Sequence, residues 1–397
     1  MKVLQINNHH RIIGGADQVF FNTADLLRER GHVCDTFAAR DPRDRPNPRS
    51  DYFPAAPPQG QKSLRDLPSY LYNFRAGRAI GRYEATFGPY DIAHLHIYYG
   101  RLTTAILPHL RKQTGAIIQS LHEYKLACPV YSFEREGHTC RKCVDGSTWS
   151  VIKHRCKNKS LAMSAVAFVE FHLSRTMGDV RHVDRFICVS AFQREILIQA
   201  GLPKKNMVTL YNFVDVAEAD IIPVASRDDY LLYFGRIEAL KGIGTLIEAA
   251  KRTGQRVVVA GHGSYLSTAQ AMAEGANIEF VGFQSGTALR SLVANARAVV
   301  VPSEWYENCP MSVLEAKALG VPVIGTKIGG IPELVRDGID GFLVEPGDLA
   351  GLAEALVDIG RVDLDGFSSA ARQDAVDRFS SAQHYKQLMA VYKSALN

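Results

Sequence analysis

Val3-Leu4-Gln5-Ile6 is a short apolar run that breaks into polar Asn7-Asn8-His9-His10, which marks a buried strand. Gly14-Gly15-Ala16 follows, and then apolar positions at Val19, Phe20, Ala24, Leu26 and Leu27 recur at helical spacing until Gly31. Val33 to Ala38 predicts the next strand. Strand, glycine loop, helix and strand in that order are the grammar of a parallel sheet. Asp91 to His96, Ala116 to His122 and Arg185 to Ser190 read as further strands, two of them finishing at a histidine. A helix starts at Ala191. Asp41 to Gly60, rich in Pro, Arg and Asp, reads as an exposed loop.

The same grammar restarts near Tyr230. Strands are predicted over Tyr230 to Gly235, Arg256 to Ala260, Ile278 to Val281, Ala298 to Val301 and Val321 to Gly325, with helices between them. Asp215 to Arg227 reads as the linker, and Ala382 to Leu396 as a closing helix. The pattern predicts an α/β chain with two doubly wound, Rossmann-like domains facing each other across a cleft. The expected division is 1–215 and 216–381, with 382–397 a C-terminal helix that would suit packing back on the first domain. In such sheets ligands gather beyond the carboxyl ends of the strands.

The chain has 397 residues, 46% apolar and 22% charged, the balance of a folded globular protein with room for two domains. No apolar run is long enough to span a bilayer, and the N-terminus lacks a signal-peptide core, so a cytoplasmic protein is expected. Net charge is +5 but uneven. Residues 1–215 carry 30 Lys and Arg against 19 Asp and Glu, while the remainder carries 16 against 22. A basic half suits an anionic partner: an anionic membrane face or a phosphorylated acceptor. Nucleic acid is not expected, because the basic residues are scattered and no reader motif occurs.

The chemistry concentrates in Glu307-Asn308-Cys309-Pro310-Met311-Ser312-Val313-Leu314-Glu315. Pro310 suits the first position of a helix running over Met311 to Ala318. Glu307 then lies in the loop before the helix and Glu315 just over one turn into it. Two carboxylates beside a positive helix terminus suit a ligand with hydroxyls and a phosphate, which a sugar nucleotide has. Arg236 and Lys241, five apart after a strand, can aim two cations at one pyrophosphate. Gly14-Gly15 would let a phosphate approach the backbone closely. Gly261-His262-Gly263 is an incomplete nucleotide-binding turn that tight strand–helix packing explains equally well.

Taken in order, these segments resemble glycosyltransferase family 4, retaining enzymes of the GT-B fold. The resemblance rests on Gly14-Gly15, His122, Tyr211 to Asp215, Gly235-Arg236 to Lys241-Gly242, Glu307 to Glu315, Gly330 to Glu333 and Asp337 to Val344. It implies that Arg236 and Lys241 bind the donor's phosphates and that Glu315 accepts from its ribose. It implies that Glu307 accepts from hydroxyls of the donor sugar, with Asn308, Cys309, Pro310, Met311 and Ser312 beside it. It further implies that His122 contacts the sugar near the reacting carbon and that the Gly15 N–H faces the distal phosphate. His122, Arg236, Lys241 and Glu307 would form the catalytic set. No catalytic metal is expected. Many relatives have Gly-Phe-Gly after the first glutamate, where this chain has Asn308-Cys309-Pro310. The implied activity is retaining transfer of a sugar from a nucleotide-diphosphate sugar to a hydroxyl of a glycan or lipid-linked acceptor, in bacterial surface polysaccharide biosynthesis. A nucleotide-sugar epimerase and a non-catalytic sugar-nucleotide scaffold are the alternatives.

Cys128, Cys140, Cys143 and Cys156 cluster in an insert over 128–156. The Cys-x2-Cys pair with two outlying cysteines suits a structural zinc; two disulfides, free thiols or an iron–sulfur cluster are the other readings. Lys153, Arg155, Lys157 and Lys159 precede an apolar stretch, Leu161 to Leu173. That stretch reads as a buried domain helix or as an element on the inner face of the plasma membrane.

Overall fold

The structure, a computed structural model, describes residues 1–56, 66–216 and 222–397. Residues 57–60 of the expected loop and 217–221 of the expected linker lie outside them. The chain forms two compact units. One comprises Met1–Phe133, Arg141–Leu210 and Tyr385–Asn397; the other comprises Glu134–Cys140 and Tyr211–His384.

The first unit is built on six strands: β1 (Lys2–Ile6), β2 (Val33–Phe37), β3 (Tyr90–Leu95), β4 (Thr114–Leu121), β7 (Arg185–Cys188) and β8 (Met207–Thr209). Strands β5 (Glu134–Arg135) and β6 (His138–Thr139) form a separate two-stranded hairpin. The six pair in the order β2-β1-β3-β4-β7-β8, all parallel. Val3, Ile92, Ala116, Ile118 and Ile187 of these strands meet Ala24 and Leu27 of the first helix, Gly15–Glu29, and Leu388 and Tyr392 of the last. Strand β8 is absent from the sequence reading because Met207-Val208-Thr209 is too short to show a period.

The helix Leu161–Thr176 is longer than its apolar stretch and capped by Ser160, whose hydroxyl accepts from Met163 N–H at 3.3 Å. Ser164, Ala167, Glu170, Phe171 and Ser174 form its buried stripe, while Leu161 and Val169 are exposed. Glu170 is held there by Lys125, itself buried and donating to the Pro129 carbonyl at 2.8 Å. A stripe containing an ion-paired carboxylate is that of a domain helix. Among the described residues no helix is long and apolar enough to cross a membrane.

The second unit also has six parallel strands: β9 (Leu231–Arg236), β10 (Val257–His262), β11 (Ile278–Gly282), β12 (Ala298–Val301), β13 (Val323–Thr326) and β14 (Gly341–Val344), in the order β11-β10-β9-β12-β13-β14. The chain winds outward from β9 in one direction and from β12 in the other, so their carboxyl ends form the topological switch point. Gly261 and Gly263 serve packing: a Cβ at Gly261 would stand 1.9 Å from the Gly235 carbonyl oxygen, and one at Gly263 2.1 Å from that of Ile237.

One buried cation ties this unit together. Lys317, on the helix Met311–Ala318, has no exposed surface. Its Nζ donates to the Leu334 carbonyl at 2.6 Å, to Asp340 at 3.0 Å and to Asp374. Arg336 and Arg378 reach the same carboxylates from the rim. Removing the cation leaves buried carboxylates with less compensation than they need. Lys317→Ala is therefore expected to lower unfolding free energy by about 3–5 kcal/mol in urea denaturation.

Candidate active site

At the switch point of the second unit, close backbone contact comes first. After β9 the chain turns through Ala239–Lys241 and enters the helix Ile243–Thr253 at Gly242, which has φ +72°. A Cβ at Gly242 would lie 1.7 Å from the Pro302 carbonyl oxygen. Only glycine lets this turn press on the segment leaving β12. Glu304 N–H then donates to the Leu240 carbonyl at 2.9 Å, and Thr245 Oγ1 donates to the Glu304 carboxylate.

That closeness brings Lys241 to Glu307, with which its ammonium forms an ion pair. The ammonium also lies 5.0 Å from the centroid of the Trp305 ring, a cation–π arrangement. Glu307 is buried and its main chain is fixed from behind. Gly330 N–H donates to its carbonyl at 2.7 Å, and a Cβ at Gly329, where φ is +61°, would stand 2.2 Å from the same oxygen. The Asn212 side-chain amide donates to the Cys309 carbonyl at 3.1 Å. Tyr211 donates to the Glu333 carboxylate at 2.9 Å, and Arg378 to the Glu333 carbonyl at 2.8 Å. The segments Tyr211-Asn212 and Gly329 to Glu333 therefore brace the loop that carries Glu307.

Pro310 is the N-cap, one position before the expected one, and Met311 is the first helical residue. An extended ψ of 122° at Pro310 suits the cap, while proline's ring fixes its φ at −64°. Cys309 is buried, and burial pushes its thiol up to about 12, so it can offer a ligand only its main chain. Asn308, Met311 and Ser312 are half-buried around the helix start, where Val313 N–H donates to the Pro310 carbonyl at 3.1 Å. Glu315 is half-buried one turn on; burial pushes its carboxyl up to about 7, with Arg290 acting the other way. Arg236 is exposed. Burial raises the Tyr233 hydroxyl, Glu307 raises it further and Arg236 opposes them, so all three share one electrostatic neighbourhood. Tyr233 also donates to the Arg236 carbonyl at 2.6 Å.

In the first unit, Gly14 is the N-cap of Gly15–Glu29, with open space where a Cβ would stand. Its N–H is already engaged: Asp17 accepts from Gly14 at 3.1 Å and from Ile13 at 3.0 Å, while Asn7 donates to Asp17 at 2.8 Å. His122, immediately after β4, lies 2.8 Å through Nε2 from His96 Nδ1. Burial pulls its pKa down to about 4, so the ring is neutral at ordinary pH.

The four cysteines of the insert are thiols outside any disulfide. Cys128 is buried and Cys140, Cys143 and Cys156 are half-buried. The Cys156 thiol is directed to the Ser150 carbonyl at 3.9 Å. Among the described residues, no group of three or more His, Cys, Asp or Glu side chains is arranged to hold a metal ion.

Comparison with known proteins identifies the family and the fold. The family model "Glycosyltransferase Family 4" matches residues 13–218, and "Glycosyl transferases group 1" matches 217–360. The D-inositol 3-phosphate glycosyltransferase of Mycolicibacterium paratuberculosis is 33% identical over 96% of this chain and 86% of its own length. The enzyme of that name from Mycolicibacterium smegmatis is 26% identical over 97% and 87%. Among solved structures, the sucrose-phosphate synthase of Thermosynechococcus elongatus superposes with a TM-score of 0.74 at 19% identity, covering 99% of this chain and 98% of that one. Anabaena HepE in complex with UDP and glucose gives 0.66 at 19% identity, covering 99% and 100%. The chain belongs to glycosyltransferase family 4, and its two six-stranded parallel sheets are those of the GT-B fold.

Gly329 and Gly282 both have positive φ, but a Cβ at Gly282 would meet open space. Gly282→Ala should therefore cost only the backbone term of about 1–2 kcal/mol. Gly329→Ala should cost clearly more, because the Glu307 main chain must also move. Urea denaturation of the two variants side by side checks this.

Proposed function

We propose that this chain transfers a sugar, with retention of anomeric configuration, from a nucleoside-diphosphate sugar to a hydroxyl of a glycan or lipid-linked glycan. The Lys241–Glu307 pair at the switch point carries the reading. A cation and a carboxylate in contact suit a ligand that has something to offer each: phosphate oxygens for Lys241, hydroxyl protons for Glu307. Arg236 adds a second cation, and the first turn of Met311–Ala318 adds main-chain donors. Glu315 accepts from the ribose, and His122 contacts the donor sugar. The solved neighbour in complex with UDP-glucose supports a UDP-hexose as the first donor to try.

In the proposed reaction the acceptor hydroxyl attacks the anomeric carbon on the face the diphosphate leaves. The C–O bond to the diphosphate breaks, and the departing phosphate oxygen takes the acceptor's proton. Arg236 and Lys241 stabilise the charge that collects on that oxygen, which is where electrostatic catalysis has most to act on. The basic first half of the chain fits an acceptor at an anionic membrane surface, at the cytoplasmic face, in surface polysaccharide assembly.

Donor choice is open to direct measurement. A ligand that binds the folded state at 100 times its Kd stabilises it by about 2.7 kcal/mol. Among UDP-, GDP- and ADP-sugars, UDP-hexoses should raise Tm most, and NMR of the transfer product should show the donor's anomeric configuration. A product with inverted configuration, or none across an acceptor panel, would overturn the reading.

Glu315 gives a prediction of opposite sign for activity and stability. Burial raises its folded pKa to about 7, above the ordinary glutamate value. Between those values the folded state binds the extra proton, so its stability falls as pH rises through the window. Glu315→Gln should thus be more stable than the parent at pH 8 and similar to it near pH 4. Its kcat/KM should fall by about 10–100-fold, the loss of a hydrogen bond to a charged group. Melting curves at the two pH values and steady-state kinetics check both halves.

A further inference from the structure

The sheet of the first unit carries a polar chain through its core that the family roles leave unexplained. Gln5 of β1 has no exposed surface, and His94 and His96, on and just after β3, have 1% each. Gln5 Oε1 lies 2.8 Å from His96 Nε2. His96 Nδ1 lies 2.8 Å from His122 Nε2, with the two rings within 7° of parallel. On its other side the Gln5 amide nitrogen faces His94 Nδ1 at 3.3 Å and the Tyr392 hydroxyl at 3.4 Å. Tyr392 and His94 Nδ1 are 2.7 Å apart, and His94 Nε2 is 2.8 Å from Ser120 Oγ.

Each link constrains the next. An amide oxygen only accepts, so His96 must place its proton on Nε2. His96 is 1% exposed, where an imidazolium charge is costly; held neutral there, it has a lone pair on Nδ1, which can only accept. His122 must therefore donate from Nε2, and its own lone pair falls on Nδ1. At the far end, Tyr392 O–H donating to His94 Nδ1 turns the phenol's lone pairs toward the Gln5 NH2, which holds the amide in this orientation.

We propose that Gln5 and His96 are positioning residues that fix His122 as the Nε2–H tautomer, so that Nδ1 is the atom that accepts. The catalytic use of that atom rests on the assignment of His122 to the donor sugar, but the tautomer does not. A hydroxyl of the sugar would donate to Nδ1; with the opposite tautomer the same position would present an N–H, and an acceptor site would become a donor site. The ring is kept neutral by burial, which is what makes the choice of tautomer matter.

The test is nitrogen NMR of 15N-histidine-labelled full-length protein, with the His122 signals identified by their loss in His122→Ala. In the parent, His122 should show a protonated Nε2 and an unprotonated Nδ1. Gln5→Leu removes the amide oxygen and should release the chain, giving the other tautomer or an exchange average. His96→Gln should preserve the Nε2–H form, because its amide can donate to Gln5 and accept from His122. Transfer should follow the tautomer, with kcat/KM down about tenfold in Gln5→Leu and largely retained in His96→Gln. If Gln5→Leu does not fold, His96→Leu cuts the chain at its next link and decides the matter.

A parent His122 protonated on Nδ1, or a ring that keeps Nε2–H in a folded leucine variant, would overturn the proposal. If the tautomers behave as stated but His122→Ala transfers as fast as the parent, the positioning stands and the role of His122 at the sugar falls.

Discussion

The site of the second unit depends on two places where backbones touch with no room for a side chain. At Gly242 the turn after β9 meets the Pro302 carbonyl, and at Gly329 a second turn meets that of Glu307. Each contact alone would be a packing detail. Together they clamp the segment 302–310 from two sides, and Lys241 reaches Glu307 because of the first while Glu307 stays put because of the second. Side-chain hydrogen bonds from Asn212 and Thr245 add to a geometry already set by main-chain distance. A charged pair in so fixed a frame loses little freedom when a ligand replaces one partner with another, which is the condition for electrostatic preorganisation.

The first unit solves a different problem. It carries polar side chains in the middle of a parallel sheet, where an unpaired group is costly. Gln5, His94, Ser120 and Tyr392 satisfy one another across β1, β3, β4 and the last helix. Burial of such a chain costs more than an apolar core would unless every member is paired, so its presence asks for a return in function. Its end at His122, just past the carboxyl end of β4, is where a parallel sheet presents ligands. The C-terminal residues enter this account directly, because Tyr392 supplies the hydroxyl that orders the amide.

Much of this was legible in the sequence, for identifiable reasons. Strands such as Val257–His262 and Ala298–Val301 are built on apolar runs, and their alternation with helices dictates a parallel sheet. Glu307, Glu315, Arg236 and Lys241 stand out because charged residues at strand ends and helix starts have no packing purpose. What escaped was short or long-range. β8 has three residues, too few for a period. The partner of Lys317 at Asp374 is 57 residues away, and that of His94 at Tyr392 is 298 away. The histidines that end two strands were visible; their connection through Gln5 was not, since a lone glutamine in a strand carries no sequence signal.

The departure from Gly-Phe-Gly after the first glutamate now has a physical meaning. Cys309 is buried, and its carbonyl, not its thiol, takes part in the loop's bracing through Asn212. Pro310 gives up an N–H at a cap, where the position in any case stands outside the helix's own ladder. The variant puts a buried thiol and a proline, which lacks an N–H, where an aromatic ring and a glycine N–H would otherwise stand. Trp305, two residues before Glu307, is an aromatic held against Lys241. A ring there cannot be exchanged freely, because it borders the ammonium and the same short segment that Gly242 and Gly329 clamp.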